Sequence, residues 1–485
     1  MQERYIATAD LGTSKIAVSV AKVTGDNVQI IYYKESPSDG IRYSCVFNPK
    51  NASKALGAAI AEAEEELKIK ILQIVVGLPR YNVHQEISSA SIERSQPDEF
   101  ITREEVETLK SMALENYPLT DSTKEEIYGA VAQSFSVDDL IQARENDIIG
   151  TTSEKLEGNF KVFVGAKKAM RNIDAMLNDL GVAPARKLFL PHSIAAAVLT
   201  DEEKENGVAL VEFGAGVTSL TIYQGRIMRY YAAIPFGGKN ITYDIKYECG
   251  FNEELAENIK LAFGACMPDK LQSLGEKIIR INDDETGTYE QLPVKYLSEI
   301  ITARTREIIN SILYLIQASG FAERLRNGVV LTGGCANMAN VAGLFKEMSG
   351  YNVRPGYPRR YFSAAGCPGI GETSAAASVG MILAASKDPY LNCIEEAAPE
   401  EVKEEPVVEV LSYEGSILDP EYREEAPVTK PAARPSFTQK PPKEPKGPKK
   451  PLFPKITWGD KIETLIDKAL NSDSKLGNLF DSMEN

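Results

Sequence analysis

Residues 6–23 read IATADLGTSKIAVSVAKV, and residues 208–225 read VALVEFGAGVTSLTIYQG. In both stretches an apolar run is broken by an acid, glycine and hydroxyl residues and then resumes, which is the pattern of a β-hairpin with a polar turn. One such turn is ordinary, since glycine, aspartate and serine are common turn residues. Two copies, each followed by a long α/β segment, favour a duplicated fold whose hairpins face each other across a cleft.

The turn residues also suit a phosphate-binding site. Backbone N–H groups freed by a glycine turn, with hydroxyls and a lysine nearby, form a concave site for anions. A third glycine cluster lies in GVVLTGGCANMAN at 328–340, where an apolar strand leads into Gly333 and Gly334. That cluster fits either a tight loop or a close approach of the backbone to a ligand.

The composition excludes several classes of protein. The chain has 485 residues, of which 43% are hydrophobic and 25% charged, as in ordinary globular proteins. Its formal net charge of −15 argues against nucleic-acid binding. Two histidines and six scattered cysteines offer little for a histidine-based metal site, a zinc knuckle or a disulfide framework. No apolar run approaches the roughly 18 residues of a membrane-spanning helix, so we expect a cytoplasmic protein.

Strand and helix patterns alternate up to about residue 390, which indicates the α/β class. Between residues 84 and 160 the chain becomes more polar and carries the helix signal TREEVETLKSMALE. Thr102, three residues before Glu105, predicts a capping box at its start. We interpret this region as an inserted small α+β subdomain.

The composition changes again after Cys393. Acidic residues dominate to Glu425, and prolines then alternate with lysines to Lys455, so we predict a disordered linker. The final stretch predicts a short amphipathic helix that either lies on a membrane surface or binds a protein groove. Its apolar stripe is Trp458, Ile462, Leu465, Ile466 and Ala469.

The acid, glycine and hydroxyl motifs resemble those of the actin, heat-shock-chaperone and sugar-kinase superfamily. The DLGTSK and EFGAGVTS loops resemble its two phosphate motifs, and the TGG turn its adenosine motif. Within the superfamily the chain most resembles the FtsA family of bacterial cell-division proteins. The resemblance implies a duplicated, actin-like two-lobed ATPase fold of the α/β class, with the inserted subdomain, the linker and the terminal amphipathic helix.

The resemblance divides the chain into eight segments. The first lobe takes 1–83 and 161–206, interrupted by the insert at 84–160. The second lobe takes 207–238 with the second hairpin, 239–300 as a small subdomain, and 301–390 with the adenosine motif. The linker takes 391–455 and the membrane-targeting tail 456–485.

The resemblance also implies that ATP and Mg²⁺ are the cofactors. Asp10 would hold water around the metal ion, and the other matched residues would contact phosphates, ribose or base. The implied nucleotide-binding residues are Asp10, Gly12, Thr13, Ser14, Lys15, Glu212, Gly214, Gly216, Thr218, Glu257, Lys260, Gly333 and Gly334.

Several positions depart from the superfamily pattern. Glu212 replaces the usual aspartate, Ser219 replaces an acid, and Leu190 stands before Pro191 where relatives often have an acid. Hydrolysis depends on carboxylates that position water and metal, whereas backbone groups do most of the nucleotide binding. We therefore expect ATP binding with slow or absent hydrolysis and assign no catalytic residue.

For partners, the resemblance implies the C-terminal tail of FtsZ, docked on 239–300, and inner-membrane lipid, bound through the terminal helix. It also implies self-association into protofilaments, contacts with other divisome proteins, and a position on the cytoplasmic face of the inner membrane at the septum. Two alternatives are an ATP-dependent small-molecule kinase and an actin-like scaffold of pilus assembly. The weakened loop acids argue against a kinase, and a lipid-binding tail would argue against a pilus scaffold.

Overall fold

Each predicted hairpin begins a mixed sheet of its own. The first pairs Arg4–Leu11 with Lys15–Thr24, and the second pairs Val208–Phe213 with Thr218–Gln224, both antiparallel. A computed structural model of the chain describes residues 3–138, 140–282, 289–358 and 361–395, all within one structural unit.

Lobe 1 is built on a six-stranded sheet. The first hairpin and the next strand form an antiparallel meander, and parallel strands join it on both sides. Four helices share one apolar core with the sheet: Pro49–Leu67, Lys167–Leu180, Leu190–Val198 and Ala376–Ala385. The strand order is Ala183–Leu188, Gln73–Gly77, Arg4–Leu11, Lys15–Thr24, Asn27–Pro37 and Ser363–Ala364.

Lobe 2 repeats this plan with five strands. An antiparallel meander again carries parallel strands beside its first strand. The strand order is Ile227–Ile234, Thr218–Gln224, Val208–Phe213, Val329–Thr332 and Val353–Pro355. The helices are Gly238–Cys249, Glu253–Phe263, Val294–Ala318 and Val341–Ser349. The matching topology of the two sheets confirms the predicted duplicated α/β fold.

The insert has a separate sheet and core. Its strand order is His84–Glu93, Lys155–Ala166, Glu125–Val137 and Leu140–Ala143. Helices Arg103–Glu115 and Glu145–Ile148 accompany this sheet. The predicted capping box is present, because the Glu105 N–H donates to Thr102 Oγ1 at 3.2 Å and the Thr102 N–H donates to Glu105 Oε2 at 2.8 Å.

Two predicted boundaries fall inside elements. Residue 160 lies within the insert strand Lys155–Ala166 and residue 300 within Val294–Ala318. The strand Lys155–Ala166 serves two cores, because Phe160 packs in the core of the insert while Phe163 packs in the core of lobe 1. An apolar run that resumes the lobe's pattern is therefore still part of the insert.

The predicted linker begins later than residue 391. Leu391 and Cys393 are buried, and the Cys393 N–H donates to the carbonyl oxygen of Tyr5 at 2.7 Å. Ile394 forms a β-bridge with Ile71. Residues from 396 on, including the predicted terminal helix with Trp458, lie outside the described residues.

Shorter elements connect these parts. They are the hairpins Ile41–Arg42 with Cys45–Val46 and Ile278–Asn282 with Tyr289–Pro293, the helix Asp201–Asn206, and 3₁₀ turns at Pro268–Lys270, Gln272–Leu274, Ala322–Arg324, Gly334–Asn337 and Thr373–Ala375. Within the described ranges, every helix is too short or too polar to cross a bilayer.

Candidate functional site

The two hairpin turns have the same internal geometry. In the first, the Gly12 N–H donates to the carbonyl oxygen of Lys15 at 3.0 Å, and in the second, the Gly214 N–H donates to that of Val217 at 3.0 Å. A Cβ at Gly12 or Gly214 would lie 2.5 or 2.8 Å from that same oxygen. Both positions therefore require glycine.

The two turns meet across a cleft. A Cβ at Gly216 would lie 2.7 Å from Thr13 Oγ1, so the second turn is in close contact with the first. Beside this contact lies a cavity of 960 Å³, lined by both hairpins, by helices of lobe 2 and by the third glycine cluster. Its size suits a ligand of several hundred daltons.

Nearly all of the predicted nucleotide-binding residues line this cavity. Thr218 does not, because it is fully buried and its hydroxyl donates to the carbonyl oxygen of Phe236 at 2.8 Å. The predicted residues that line the cavity are Asp10, Gly12, Thr13, Ser14, Lys15, Glu212, Gly214, Gly216, Glu257, Lys260, Gly333 and Gly334.

An arginine lies between the acids of the two hairpins. Arg80 Nη2 lies 3.0 Å from Asp10 Oδ1, and Arg80 Nε lies 3.0 Å from Glu212 Oε2. Its Nη1 donates to Ser44 Oγ at 2.9 Å. Asp10 and Glu212 occupy the same position in their hairpins, since each is the second-to-last residue of its first strand. Arg80 therefore joins two equivalent acids of the duplicated fold.

Burial and charge compete at this cluster. Burial raises the pKa of the Glu212 carboxyl, the charge of Arg80 opposes this, and the charge of Asp10 adds to it, so the pKa stays above its usual value. Burial alone would lower the pKa of the Arg80 guanidinium, but the two carboxylates raise it. Arg80 is therefore a permanent cation.

Lys15 is paired within lobe 1. Its ammonium contacts Glu35, which also accepts hydrogen bonds from Tyr33 and, at 3.3 Å, from Ser374. Burial alone would raise the pKa of Glu35, but the hydrogen bonds from Lys15 and Tyr33 hold it below its usual value. Lys15 therefore lies in the cavity wall as half of an ion pair.

Lys260 ties together two helices of lobe 2. Its ammonium donates to the carbonyl oxygen of Gly238 at 3.0 Å, to Thr242 Oγ1 at 2.8 Å and to Glu257 Oε2 at 2.7 Å. These three bonds use all of its protons. Lys260 and Glu257 thus form a fixed part of the wall.

The third glycine cluster closes the cavity from another side. Gly333 has φ of +89°, and a Cβ there would lie 2.6 Å from the carbonyl oxygen of Phe213. No atom outside its neighbouring residues lies within 4 Å of a Cβ built at Gly334, so that face is open to a ligand. The turn is fixed by Thr373, whose hydroxyl donates to the Gly333 carbonyl oxygen at 2.8 Å.

Two departures from the superfamily pattern have clear positions. Ser219 donates to Glu212 Oε2 at 3.3 Å. Leu190 is 1% exposed, and a Cβ at Gly77 would lie 2.3 Å from its Cδ1. Leu190 is therefore a core residue of lobe 1 and is absent from the lining residues that the structure describes.

The described lining carries more acid than base. Its acids are Asp10, Glu35, Glu212, Glu253, Glu254 and Glu257, and its cations are Lys15, Arg80, Lys239 and Lys260. Each of these four cations is ion-paired. Such a lining accepts polyphosphate most readily together with a metal cation. Within the described ranges, no group of three or more histidine, cysteine, aspartate or glutamate residues forms a metal-ligand cluster on its own.

Arg80, Ser44 and Glu35 are lining residues that the motifs did not predict. For Arg80 the sequence contains a usable signal. It stands in GLPRYN, directly after the buried strand Gln73–Gly77, which pairs in parallel with Arg4–Leu11. Residues that follow neighbouring parallel strands lie at the same sheet edge, so Arg80 and Asp10 are brought together.

Comparison with known proteins gives a consistent family. A family model described as "Cell division protein FtsA" matches residues 209–380. The FtsA of Neisseria meningitidis is 29% identical over 372 residues, covering 74% of this chain and 85% of that protein. The FtsA of Borreliella burgdorferi is 29% identical over 360 residues, covering 74% and 86%.

Comparison of structures supports the fold. The chain superposes on a protein of a "PilM-PilN type IV pilus biogenesis complex" with a TM-score of 0.56, covering 79% of this chain and 99% of that one. The identity is 16%, so this likeness shows the fold alone. The shared fold is the actin-like one that the sequence motifs predict.

Proposed function

We propose that the chain, which resembles the FtsA cell-division proteins, is an ATP-binding scaffold that tethers FtsZ filaments to the inner membrane. In this role it would help to recruit later division proteins at the septum. The family relation supports the role in division, and the cleft supports the nucleotide.

The observation that carries nucleotide binding is the pair of equivalent hairpin turns facing each other beside a 960 Å³ cavity. In the proposal, backbone N–H groups of Thr13 and Gly216, at the tips of the two turns, bind the phosphates. Gly334, whose outer face is open, lies against the adenosine.

Magnesium fits the acid-rich phosphate end of the cavity. Asp10 would hold the ion through water, and the ion would neutralise phosphate charge. Hydrolysis stays slow in this proposal. Glu212 and Asp10 are both engaged by Arg80, and Leu190 lies in the core at a position where an acid would otherwise face the ligand.

The FtsZ tail would dock on the small subdomain at 239–300. Support comes from apolar side chains exposed on its two helices, Tyr247 on Gly238–Cys249 and Leu261 on Glu253–Phe263, which are 77% and 73% exposed. An extended peptide with apolar side chains would cover them. Protofilament formation and contacts with further divisome proteins belong to the same proposal on family grounds.

Membrane attachment would reside in the stripe of Trp458, Ile462, Leu465, Ile466 and Ala469. An amphipathic helix buries such a stripe at the headgroup boundary, and the upstream lysines would add attraction to anionic lipid.

Co-sedimentation with anionic liposomes tests the tether. The full chain is compared with a chain ending at Pro454, both with Mg-ATP, and purified FtsZ is then added. We expect only the full chain to pellet with lipid and to bring FtsZ with it. If both chains stay in the supernatant, the tethering role is wrong and the terminal segment binds protein or nothing.

A further inference from the structure

Arg80 is the only residue among the described lining that ion-pairs with acids of both lobes. It follows the strand Gln73–Gly77 of lobe 1, and its side chain is 7% exposed. Asp10 belongs to its own lobe, whereas Glu212 belongs to lobe 2. The Arg80 guanidinium donates a hydrogen bond to Asp10 and lies within ion-pair distance of Glu212, so one side chain faces both carboxylates at once.

The position of Arg80 is fixed from several sides. Ser44, which accepts from Nη1, has φ of +60°, and Tyr43 before it has φ of +49°. Two successive non-glycine residues in the left-handed region are unfavourable, so the surrounding structure holds this turn in place. The Tyr231 hydroxyl of lobe 2 donates to the backbone carbonyl oxygen of Arg80. The side chain and the backbone of Arg80 thus both contact lobe 2.

Opening the cleft would break some of the contacts of Arg80 and leave others intact. Arg80 would keep Asp10 and Ser44, which are in its own lobe, and would lose Glu212. Glu212 would keep only Ser219, which donates to it at 3.3 Å. Removing one partner from a buried ion pair is costly because the remaining charge is left uncompensated. The contact between Arg80 and Glu212 therefore forms only when the lobes are closed.

We propose that Arg80 is a positioning residue that holds Asp10 and Glu212 together across the closed cleft and so slows nucleotide release. This inference rests on the proposed nucleotide binding. Arg80 would not touch the nucleotide itself. It would act through Asp10 and Glu212, whose carboxylates face the phosphate end of the cavity.

Glu212→Gln isolates the contact between the lobes. It removes the charge that Arg80 meets in lobe 2 and leaves Asp10 and Ser44 in place. The matched control is Glu205→Gln, which breaks the ion pair between Arg144 of the insert and Glu205 of the connecting helix Asp201–Asn206, outside the cavity. Release of a fluorescent ATP analogue with Mg²⁺ is measured by stopped-flow chase on full-length chains, together with the association rate.

We expect Glu212→Gln to raise the release rate about tenfold and to leave the association rate within about twofold, while Glu205→Gln matches the parent chain. Hydrogen exchange of residues 208–224 without nucleotide should also quicken in Glu212→Gln, which a change confined to ligand contacts would not cause. If Glu212→Gln does not fold, Arg80→Lys decides by the same criterion, since lysine keeps the charge without the fork.

The possible failures are separable. If the parent chain does not bind the analogue, the proposed function is wrong. If the parent chain binds but neither Glu212→Gln nor Arg80→Lys changes the release rate, Arg80 has no positioning role and nucleotide binding stands.

Discussion

At Gly216 a single missing side chain decides whether the two hairpin turns can approach. A Cβ there would lie 2.7 Å from Thr13 Oγ1 and 2.8 Å from Thr13 Cγ2, closer than real Cβ atoms come. We expect Gly216→Ala to push the turns apart and to weaken binding of Mg-ATP at least about tenfold, since phosphate contacts need both turns in register. Equilibrium titration with a fluorescent ATP analogue measures this.

Gly371→Ala is the matched control for Gly216→Ala. No atom outside the neighbouring residues lies within 4 Å of a Cβ at Gly371, and Gly371 is exposed and outside the cavity lining. Its affinity should equal that of the parent chain. If Gly216→Ala and Gly371→Ala bind Mg-ATP with equal affinity, the two turns do not bind the ligand jointly.

Some residues of the site could be predicted from the sequence, and others could not. The acids and glycines of both turns were predictable because their order repeats along the chain. Thr218 was misplaced because a strand-end hydroxyl can point either to a ligand or to a neighbouring carbonyl, and the pleat decides which. Arg80 was missed because its signal lies in the pairing of two separate strands, which brings it to Asp10, and because its contact with Glu212 depends on lobe closure.

Among the elements, the helix Arg103–Glu115 owes its start to the capping box of Thr102 and Glu105. Thr102→Ala leaves the Glu105 N–H without its side-chain acceptor, and such losses cost about 1 kcal/mol. We expect amide hydrogen exchange of this helix to become about fivefold faster. Mass spectrometry of exchange in peptides from the insert measures it.

Thr108→Ala is the control in the same helix. Thr108 is exposed, and its hydroxyl donates to the carbonyl oxygen of Glu104 within the helix. Alanine has the higher helix propensity, so exchange should be unchanged or slower. Faster exchange in both variants would mean that general loosening of the insert, and not the cap, is being measured.

Strands and helices were predictable where all the apolar side chains of a segment pack into a single hydrophobic core. The strands Arg4–Leu11 and Val208–Phe213 are largely buried on both faces at the centre of their sheets, and both are mainly apolar. The strand Lys155–Ala166 misled the domain boundary because it serves two cores in succession. Apolar periodicity reports burial without reporting which core receives the side chain.

On the scale of the whole molecule, His192 joins lobe 1 to the second hairpin. It lies on the helix Leu190–Val198, and its Nδ1 is 3.3 Å from the hydroxyl of Tyr223. Its side chain is exposed, yet desolvation by the surrounding protein, followed by the charges of Lys204 and other lysines, lowers its pKa below the usual value. The neutral imidazole is therefore the form that the folded protein holds.

Acid should destabilise the fold through His192. Its pKa is near 6.5 in the unfolded chain and lower in the folded one, so protons favour unfolding as the pH falls from 6.5 toward 4. Between about pH 7.5 and about pH 5 the parent chain should lose more stability than His192→Gln, by less than about 1 kcal/mol because the His192 side chain is exposed and solvent screens its interactions. Urea denaturation at both pH values measures the difference, and equal losses in the two chains would contradict the prediction.

The way the described chain ends has a mechanical consequence. Cys393 hydrogen-bonds to Tyr5 on the strand that leads to Asp10, and Ile394 bridges to Ile71 beside it. Any pull on the chain beyond Glu395 is therefore applied first to the central strand of lobe 1 and to its neighbour, while lobe 2 carries no load directly. A protein held by its tail would be anchored through lobe 1 of the cleft, and lobe 2 would remain able to move relative to it.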